Sequence, residues 1–282
     1  MAKGSYIGIG GKARKIKKMY VGIGGKARKV KKGYIGIGGK ARLFFSGGEL
    51  AYYGTATPLD PERMSLAGAS VGTYALFAGG RNGAVKDTVD AYSSSLTSLH
   101  PEALNIGRYD LCGISFNNYA LFGGGNIRTV GDVSSALVNV YNENLTVVLT
   151  ESGIYGRIKP AGSSSSVYAI FAGGISGGSV QNTVNAYNSS LTRVIPTGLS
   201  VARSTISSVA IEEYALFGGG KLSSGTSSVV DVYDSSLTRT VSTSLSLSRS
   251  NLAAASVGNY GLFAGGGLIN DYKNRVDAYL VS

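Results

Sequence analysis

The segment Tyr214-Ala-Leu-Phe-Gly-Gly-Gly220 is one copy of a motif that recurs along most of the chain. The motif reads Tyr-x-Leu/Ile-Phe-x-Gly-Gly and begins at Tyr74, Tyr119, Tyr168, Tyr214 and Tyr260. The spacings between these tyrosines are 45, 49, 46 and 46 residues. A self-similar period of this length indicates an array of structural repeats.

Two further markers accompany each copy of the motif. A Val-Asp/Asn-Ala/Val-Tyr segment ends at Tyr92, Tyr141, Tyr187, Tyr233 and Tyr279. An arginine stands 11 residues before each motif tyrosine, at Arg63, Arg108, Arg157, Arg203 and Arg249. Because the arginine recurs once per repeat, we interpret it as structural rather than catalytic.

The pattern predicts four short strands per repeat. In the fourth repeat they are Thr205–Ala210, Tyr214–Gly218, Ser228–Tyr233 and Thr238–Leu245. Four strands in 40–50 residues are typical of a β-propeller blade. Apolar and polar residues alternate only weakly within Tyr214–Gly218, which indicates a strand that is covered on both faces.

The number and spacing of the repeats predict an all-β, five-bladed propeller over residues 49–282. These 234 residues provide about 47 for each blade. The last repeat ends at Ser282 without a fourth strand, and a strand-like segment, residues 51–59, precedes the first repeat. We therefore expect this N-terminal strand to complete the last blade and close the ring, which would remove its free edges.

Residues 1–48 form a distinct basic arm. They contain 13 of the 27 basic residues and no acidic residue, whereas residues 49–282 carry 14 basic and 16 acidic residues. A 14-residue repeat begins at Tyr6, Tyr20 and Tyr34. Its period-2 alternation around a Gly-Gly pair predicts a β-hairpin in each copy.

The charge of the arm suggests that it docks on an acidic neighbour. The predicted docking residues are Lys12, Arg14, Lys15, Lys26, Arg28, Lys29, Lys40 and Arg42. Such basic runs also bind nucleic acid electrostatically, so a nucleic-acid-binding arm is an open alternative.

The composition argues against several kinds of chemistry. Cys112 and His100 are the single cysteine and histidine, too few for an intrachain disulfide, a cysteine-rich zinc site or a histidine-dominated metal centre. We therefore predict a non-enzymatic protein without metal or cofactor. With no apolar run of 18 residues and no signal-peptide core at the N-terminus, we expect assembly in a bacterial cytoplasm.

The loops between the second and third predicted strands differ most between repeats. Loops that vary on a regular frame commonly carry binding residues. The predicted receptor-binding residues are Arg81, Asn82, Asn126, Arg128, Lys221, Asn270, Asp271 and Tyr272. The alternative interpretation is that these side chains only keep an exposed face soluble.

The repeated unit resembles the kelch repeat. The matching positions of the fourth repeat are Arg203, Tyr214, Phe217, Gly219, Gly220, Val230 and Tyr233. The kelch tryptophan is missing, since Leu237 stands near its position and the chain has no tryptophan. The resemblance implies a kelch-like propeller, a fold that serves binding modules, actin bundlers and enzymes alike.

The arm resembles the Gly-Gly-Lys-Ala-Arg-Lys repeats of tail proteins from phages and phage-tail-like bacteriocins of Gram-positive bacteria, especially clostridia. This resemblance covers residues 6–46. It implies a virion or tail-particle component whose arm docks to tail, baseplate or fibre proteins. Its head would bind a host polysaccharide or surface-layer protein, and analogy suggests a homotrimer. The alternatives are a structural cap of the tail and a glycan-active enzyme.

Overall fold

A computed structural model describes residues 55–268 and 271–281, together with the backbone of six strands between residues 6 and 46. Side chains are described for residues 55–267 and 272–281. The chain divides into two compact units, Met1–Thr55 and Ala56–Ser282. In the part of the chain that the structure describes, no helix is long and apolar enough to cross a membrane.

The first unit contains three antiparallel hairpins, one for each copy of the 14-residue repeat. Their strands are β1 (Tyr6–Ile9) with β2 (Lys12–Lys15), β3 (Tyr20–Ile23) with β4 (Lys26–Lys29), and β5 (Lys32–Ile37) with β6 (Lys40–Ser46). In each copy the two strands on either side of the Gly-Gly pair of the sequence are antiparallel partners, as the alternation predicted.

The second unit contains one antiparallel sheet for each of the five longer repeats. The first sheet contains β7 (Ala67–Val71), β8 (Tyr74–Ala78), β9 (Val89–Tyr92) and β10 (Ser98–Leu99). The second contains β11 (Cys112–Phe116), β12 (Tyr119–Gly123), β13 (Leu137–Asn142) and β14 (Val147–Ser152). The third contains β15 (Ala161–Ser164), β16 (Tyr168–Ala172), β19 (Val184–Asn188) and β20 (Arg193–Val194).

The fourth and fifth sheets continue this arrangement. The fourth contains β21 (Ser207–Ile211), β22 (Tyr214–Gly218), β23 (Val230–Tyr233) and β24 (Arg239–Ser242). The fifth has three described strands, β25 (Ala253–Val257), β26 (Tyr260–Ala264) and β29 (Val276–Leu280). Two-stranded ribbons occupy two of the loops, β17 (Ile175–Ser176) with β18 (Ser179–Val180), and β27 (Gly267–Leu268) with β28 (Asp271–Tyr272).

The predicted strands of the fourth repeat agree with the structure except at their ends. The second strand has the predicted bounds, but the first begins at Ser207 because Thr205 takes a left-handed conformation with φ 47°. The strand predicted at residues 51–59 is not seen in its described part, since residues 55–59 carry no strand assignment. Residues 51–54 lie outside the described residues.

Adjacent sheets pack through two distinct faces. We define face A by the positions of Ala67, Val71, Leu76, Ala78, Val89 and Ala91 in the first sheet. We define face B by the positions of Ala120, Phe122 and Tyr141 in the second sheet, which share one buried cluster with those residues. Similar clusters join the second sheet to the third, the third to the fourth and the fourth to the fifth. The second strands of the second, third and fourth sheets are therefore covered on both faces, as predicted for Tyr214–Gly218.

The Gly-Gly pair of each motif makes this close packing possible. Gly219 has φ +67°, and a Cβ there would lie 2.6 Å from the carbonyl oxygen of Arg249 in the next sheet. The next residue, Gly220, donates its N–H to that same carbonyl at 2.9 Å. Glycine is required here because a side chain would separate the two sheets.

The repeated arginines hold each sheet together from inside. The Arg203 guanidinium lies 2.5 Å from a carboxylate oxygen of Asp231 on the third strand, and both side chains are fully buried. It also donates to the carbonyl oxygens of Phe217 at 3.1 Å and Val229 at 2.9 Å. The equivalent carboxylates are Asp90 for Arg63 and Asp277 for Arg249. The structural interpretation of these arginines agrees with these contacts.

In two repeats the arginine has a neutral partner. Arg108 donates to the side-chain oxygen of Asn139 at 2.5 Å, and Arg157 donates to that of Asn185. Burial lowers the pKa of each guanidinium to about 10, because the charged form is poorly solvated and no carboxylate offsets the loss.

Candidate binding face

One end of the second unit gathers the variable loops and the start of each first strand. Antiparallel pairing places Ala67 opposite Ala78, so the first strand begins where the second strand ends. The residue after each arginine then bridges the beginning of the loop between the second and third strands. These bridges are Met64–Arg81, Tyr109–Asn126, Ile158–Ile175, Ser204–Lys221 and Ser250–Gly267. We call this end the loop face.

The second residue after each arginine is left-handed in every repeat. These residues are Ser65, Asp110, Lys159, Thr205 and Asn251, with φ between 47° and 57°. A non-glycine residue in this conformation costs about 1 kcal/mol or more and is uncommon, so its recurrence at five equivalent positions points to a specific role. We call these five residues the left-handed ring.

The left-handed ring lines a single pocket of about 340 Å³. Backbone bonds link its members across sheets, with Asp110 N–H donating to the Ser65 carbonyl at 3.0 Å and Lys159 N–H donating to the Asp110 carbonyl at 2.9 Å. The Lys159 ammonium also lies 3.6 Å from an Asp110 carboxylate oxygen, and both side chains remain partly exposed. These groups can therefore hydrogen-bond a ligand.

The pocket combines this polar ring with an apolar lining. Its apolar residues are Leu66, Leu111, Pro160, Ile206 and Leu252. Apolar walls with a few convergent polar groups are the usual character of ligand sites. Because the ring offers the Ser65 hydroxyl, a carboxylate, an ammonium and an amide at one backbone position, it can discriminate between polar ligands.

Loops of neighbouring sheets form two further grooves on the loop face. One groove, of about 400 Å³, lies between the loop of the first sheet at Gly83–Val85 and the loop of the second at Ile127–Val130. The other, of about 460 Å³, lies between the loops of the third and fourth sheets and includes Ile175, Ser204 and Lys221. The loop face is therefore indented at three places.

Several predicted receptor-binding residues lie exposed on the loop face. Asn82, Arg128 and Lys221 are exposed, and Tyr272 is 82% exposed. Arg81 is half-buried because its guanidinium stacks 4.5 Å above the ring centre of Tyr109. These side chains are available to a ligand, although Arg81 already has an aromatic partner.

Asn126 has a different role from the one predicted. Its side chain is 1% exposed and donates to the Tyr109 hydroxyl at 3.0 Å and to Asp132 at 2.8 Å. Its side-chain oxygen accepts the N–H groups of Arg128 and Val133. The residue shapes its loop from inside, so its amide is not free for a ligand.

The remaining predicted site residues cannot be located by their side chains. Asn270 lies outside the described residues, and Asp271 is described only by its backbone in β28. The predicted docking residues lie in the strands β2, β4 and β6, also with backbone only: Lys12, Arg14, Lys15, Lys26, Arg28, Lys29, Lys40 and Arg42. The docking role of the arm stays a prediction.

Other ionisable groups of the described residues do not form a second centre. His100 lies 3.0 Å from Asp90, with its own side chain largely exposed. Over residues 55–268 and 271–281, no three His, Cys, Asp or Glu side chains stand close enough together to hold a metal ion. Burial raises the pKa of the Cys112 thiol to about 12, which leaves it protonated at neutral pH.

Sequence reasoning missed the left-handed ring. The five residues are all polar, but each repeat has a different residue type there, so no repeated residue marks the position. Their constant offset of two from the repeated arginine was the available signal. The conformation itself became visible only with the backbone angles.

Comparison with known proteins adds information on the fold. No protein-family model matches the chain, and no curated protein matches it. The solved structure of YjhT, a β-propeller-like protein, is similar to this chain with a TM-score of 0.65 and 12% sequence identity. The match covers 86% of this chain and 86% of the YjhT chain. At this identity the likeness shows the fold alone. The chain has an all-β, β-propeller-like architecture built from repeated antiparallel sheets.

Proposed function

We propose that this protein is a host-recognition component of a phage tail or of a phage-tail-like bacteriocin. The loop face binds a polysaccharide or a surface-layer protein of the host cell. The basic arm attaches the protein to the tail, baseplate or fibre. The proposal refines the fold as well: the five sheets are kelch-like blades of a propeller that the N-terminal segment closes.

The observation that carries the binding role is the left-handed ring. A scaffold repeat needs the same residue at the same backbone position, as the arginines and glycines show. The ring instead holds Ser65, Asp110, Lys159, Thr205 and Asn251 around one pocket. Constant backbone with varied polar side chains is the arrangement expected of a recognition site.

The chemistry of the loop face favours a polar, weakly charged ligand. Residues 49–282 have 14 basic and 16 acidic residues, so the body carries little net charge. Recognition then depends on hydrogen bonds and shape rather than on long-range attraction. A sugar ring presents hydroxyls at its edge and C–H groups on its faces, which suits a pocket with polar and apolar lining.

The arm supports attachment to the particle through its charge and its resemblance. Its 13 basic residues without an acidic residue favour a negatively charged neighbour. Its repeat resembles those of tail proteins from Gram-positive phages and bacteriocins. This division between arm and body distinguishes the proposal from a purely structural cap, which has no use for five divergent loops.

The test uses the labelled full-length protein and a panel of Gram-positive cells, chiefly clostridial. We expect the quadruple variant Asp110→Ala, Lys159→Ala, Arg128→Ala and Lys221→Ala to bind susceptible cells at least about tenfold more weakly. Each lost hydrogen bond contributes about 0.5–1.5 kcal/mol, and 1.4 kcal/mol corresponds to a tenfold change in affinity. Cell binding is measured by fluorescence over a concentration series.

The control carries changes at the opposite end of the sheets, in the turns between third and fourth strands. Asn144→Ala and Ser190→Ala alter exposed side chains there and should leave binding unchanged. The control should melt within a few degrees of the parent, because exposed substitutions usually change stability by less than about 0.5 kcal/mol each. Since Asp110 and Lys159 are only partly exposed and left-handed, the quadruple variant is assayed at a temperature where its own melting curve shows it fully folded. If the quadruple variant binds cells as well as the control, the loop face is not the receptor site.

A further inference from the structure

The backbone bonds of the left-handed ring are interrupted between the third and fourth sheets. Asp110 and Lys159 each donate their N–H to the carbonyl of the preceding ring residue, and Asn251 donates to the Thr205 carbonyl at 3.4 Å. Within residues 55–268 and 271–281, the Thr205 N–H makes no such bond to Lys159, and the Ser65 N–H makes none to Asn251. The ring is therefore open at two junctions, one of which separates the third and fourth sheets.

This opening leaves main-chain groups available at the pocket. The Lys159 carbonyl and the Thr205 N–H have no hydrogen-bond partner in the described part of the chain, and both residues line the pocket. Unpaired main-chain groups are normally satisfied by water or by another polar partner. The pocket thus offers a ligand one main-chain donor and one main-chain acceptor at this junction.

A groove continues from the pocket at the same junction. It is the groove of about 460 Å³ between the loops of the third and fourth sheets, which we call the side groove. Ser204 lines the side groove and the next residue, Thr205, lines the pocket, with about 3.8 Å between their Cα atoms. On the other wall, Ile175 lines the side groove and forms a bridge with Ile158, the residue before Lys159. One extended ligand can therefore occupy both.

The groove between the first and second sheets lacks this connection. At that junction the Asp110 N–H donates to the Ser65 carbonyl at 3.0 Å, so the ring is closed between the pocket and the groove. The described residues that line this groove, 83–85 and 127–130, are also distant in sequence from the ring. Of the two grooves, the side groove is the one that continues the pocket.

Polar side chains along this path are available to a ligand. Ser179, Lys221 and Ser223 are exposed in the side groove, while Ser65 is half-buried and Asn251 is exposed at the pocket. Over the described ranges, none of these five side chains has a hydrogen-bond or ion-pair partner. A ligand can therefore bind hydroxyl, ammonium and amide groups here without breaking a contact within the protein.

The lining of the path favours a glycan over a protein as the ligand. Protein interfaces depend on tyrosine, tryptophan and arginine anchors and are depleted in serine and lysine. Neither the pocket nor the side groove has an aromatic residue or an arginine among the described residues that line it. A sugar hydroxyl both donates and accepts hydrogen bonds, which suits the serine, asparagine and main-chain groups of this path.

The dimensions favour a chain of sugar residues over one compact ligand. The pocket has about 340 Å³ and the side groove about 460 Å³. Each volume lies within the range of about 300–1,000 Å³ that is typical of small-ligand sites. Two connected cavities of this size can each hold one unit of a chain.

We infer that the loop face binds a linear glycan, with one sugar residue in the pocket and the next in the side groove. The inference rests on the proposed function and narrows its ligand from a polysaccharide or a protein to a glycan chain. Asp110, Lys159 and the Thr205 N–H bind the first sugar residue. Lys221 and Ser223 bind the second.

The first test identifies the class of ligand with the labelled full-length protein and susceptible cells. Wall polysaccharide is purified from the same cells, freed of protein by protease and added as a soluble competitor. We expect it to reduce cell binding to the background level, and we expect protease-treated cells to bind the protein as untreated cells do.

The outcomes of this test separate the inference from the proposed function. Cell binding that the polysaccharide does not reduce would overturn the inference, and its loss after protease treatment would then assign the ligand to a surface protein. In that case the host-recognition role still stands. If the parent protein binds no cell of the panel, the proposed function fails as well.

The second test locates the second sugar residue by titration calorimetry with the purified polysaccharide. The variant Lys221→Ala, Ser223→Ala should bind at least about tenfold more weakly, because it loses two hydrogen bonds, one of them from a charged group. The matched control Ser190→Ala, Arg193→Ala removes a hydroxyl and a cation from exposed positions at the fourth strand of the third sheet and should bind like the parent. Each variant is titrated at a temperature where its melting curve shows it folded.

Monosaccharides from complete hydrolysis of the polysaccharide separate the two subsites. By ligand-observed NMR they should bind the parent and the Lys221→Ala, Ser223→Ala variant equally, because they need only the pocket, whereas Lys159→Ala should weaken the binding of both ligands. If the side-groove variant binds the polysaccharide as tightly as the control, the chain does not follow the side groove. Absence of monosaccharide binding to the parent would contradict a sugar subsite in the pocket.

Discussion

Replacing Arg203 with methionine should lower the free energy of unfolding by about 3–5 kcal/mol, because it leaves the carboxylate of Asp231 buried without its closest cation. Asp231 is 0% exposed at its side chain, and its remaining charged partner, Arg239, lies farther away at 3.2 Å and is partly exposed. Urea unfolding of the full-length protein measures the change.

The matched substitution Arg157→Met should lower the free energy of unfolding by less, about 1–3 kcal/mol. It also removes hydrogen bonds to backbone carbonyls, here those of Gly173 and Thr183, but its side-chain partner Asn185 is neutral. Adding Asp231→Asn to Arg203→Met should recover part of the lost stability. Equal losses for the two arginine variants would show that the buried charge does not determine the cost.

Gly219→Ala should be destabilising by about 2–5 kcal/mol, as the sum of two effects. The left-handed conformation at φ +67° costs an alanine about 1–2 kcal/mol. The new Cβ would lie 2.6 Å from both the Arg249 carbonyl oxygen and a methyl carbon of Leu252, and such overpacking adds about 1–3 kcal/mol. Thermal and urea unfolding give the total.

Gly225→Ala separates the two effects within the same repeat. Gly225 has φ +78°, but no described atom lies within 4 Å of the position that a Cβ would take there, so only the conformational cost of about 1–2 kcal/mol applies. The difference between the two variants measures the contact between the fourth and fifth sheets. Variants of equal stability would mean that the sheets are not held as closely as the structure places them.

The sequence predicted the repeated sheets because each repeat uses the same residues for the same physical task. The motif that begins at Tyr214 ends in glycines because the Arg249 carbonyl of the next sheet leaves no room for a side chain there. Arg203 is buried, so its guanidinium needs a hydrogen-bond acceptor on the third strand. Such constraints act equally in every repeat, so they appear as a period. The bounds of the strands were harder to predict, since Thr205 adopts a conformation that threonine rarely takes.

The binding face was harder to predict for the opposite reason. The left-handed ring varies in residue type, so it leaves no repeated letter in the sequence. Asn126 was chosen as a ligand-binding residue because it is polar and lies in a loop, but its hydrogen bonds are all within the protein. Only burial and partners distinguish an asparagine that shapes a loop from one that faces a ligand.

The closure of the ring of sheets was predicted by counting strands. The strand count does not show how much apolar surface of the first and fifth sheets must be covered. A single missing strand in the fifth repeat suggested that one strand would suffice. The exposure of Val276 and Leu280, together with the half-buried Phe77, shows two uncovered faces rather than one free edge among the described residues.

Electron cryo-microscopy of the intact tail particle tests the division of labour between arm and loop face most directly. We expect residues 1–48 to lie among tail, baseplate or fibre proteins, with the pocket lined by Asp110 and Lys159 turned outward and open to solvent. The opposite arrangement, with the loop face buried against tail proteins and the arm pointing away from the particle, would contradict the proposed function and favour a structural cap.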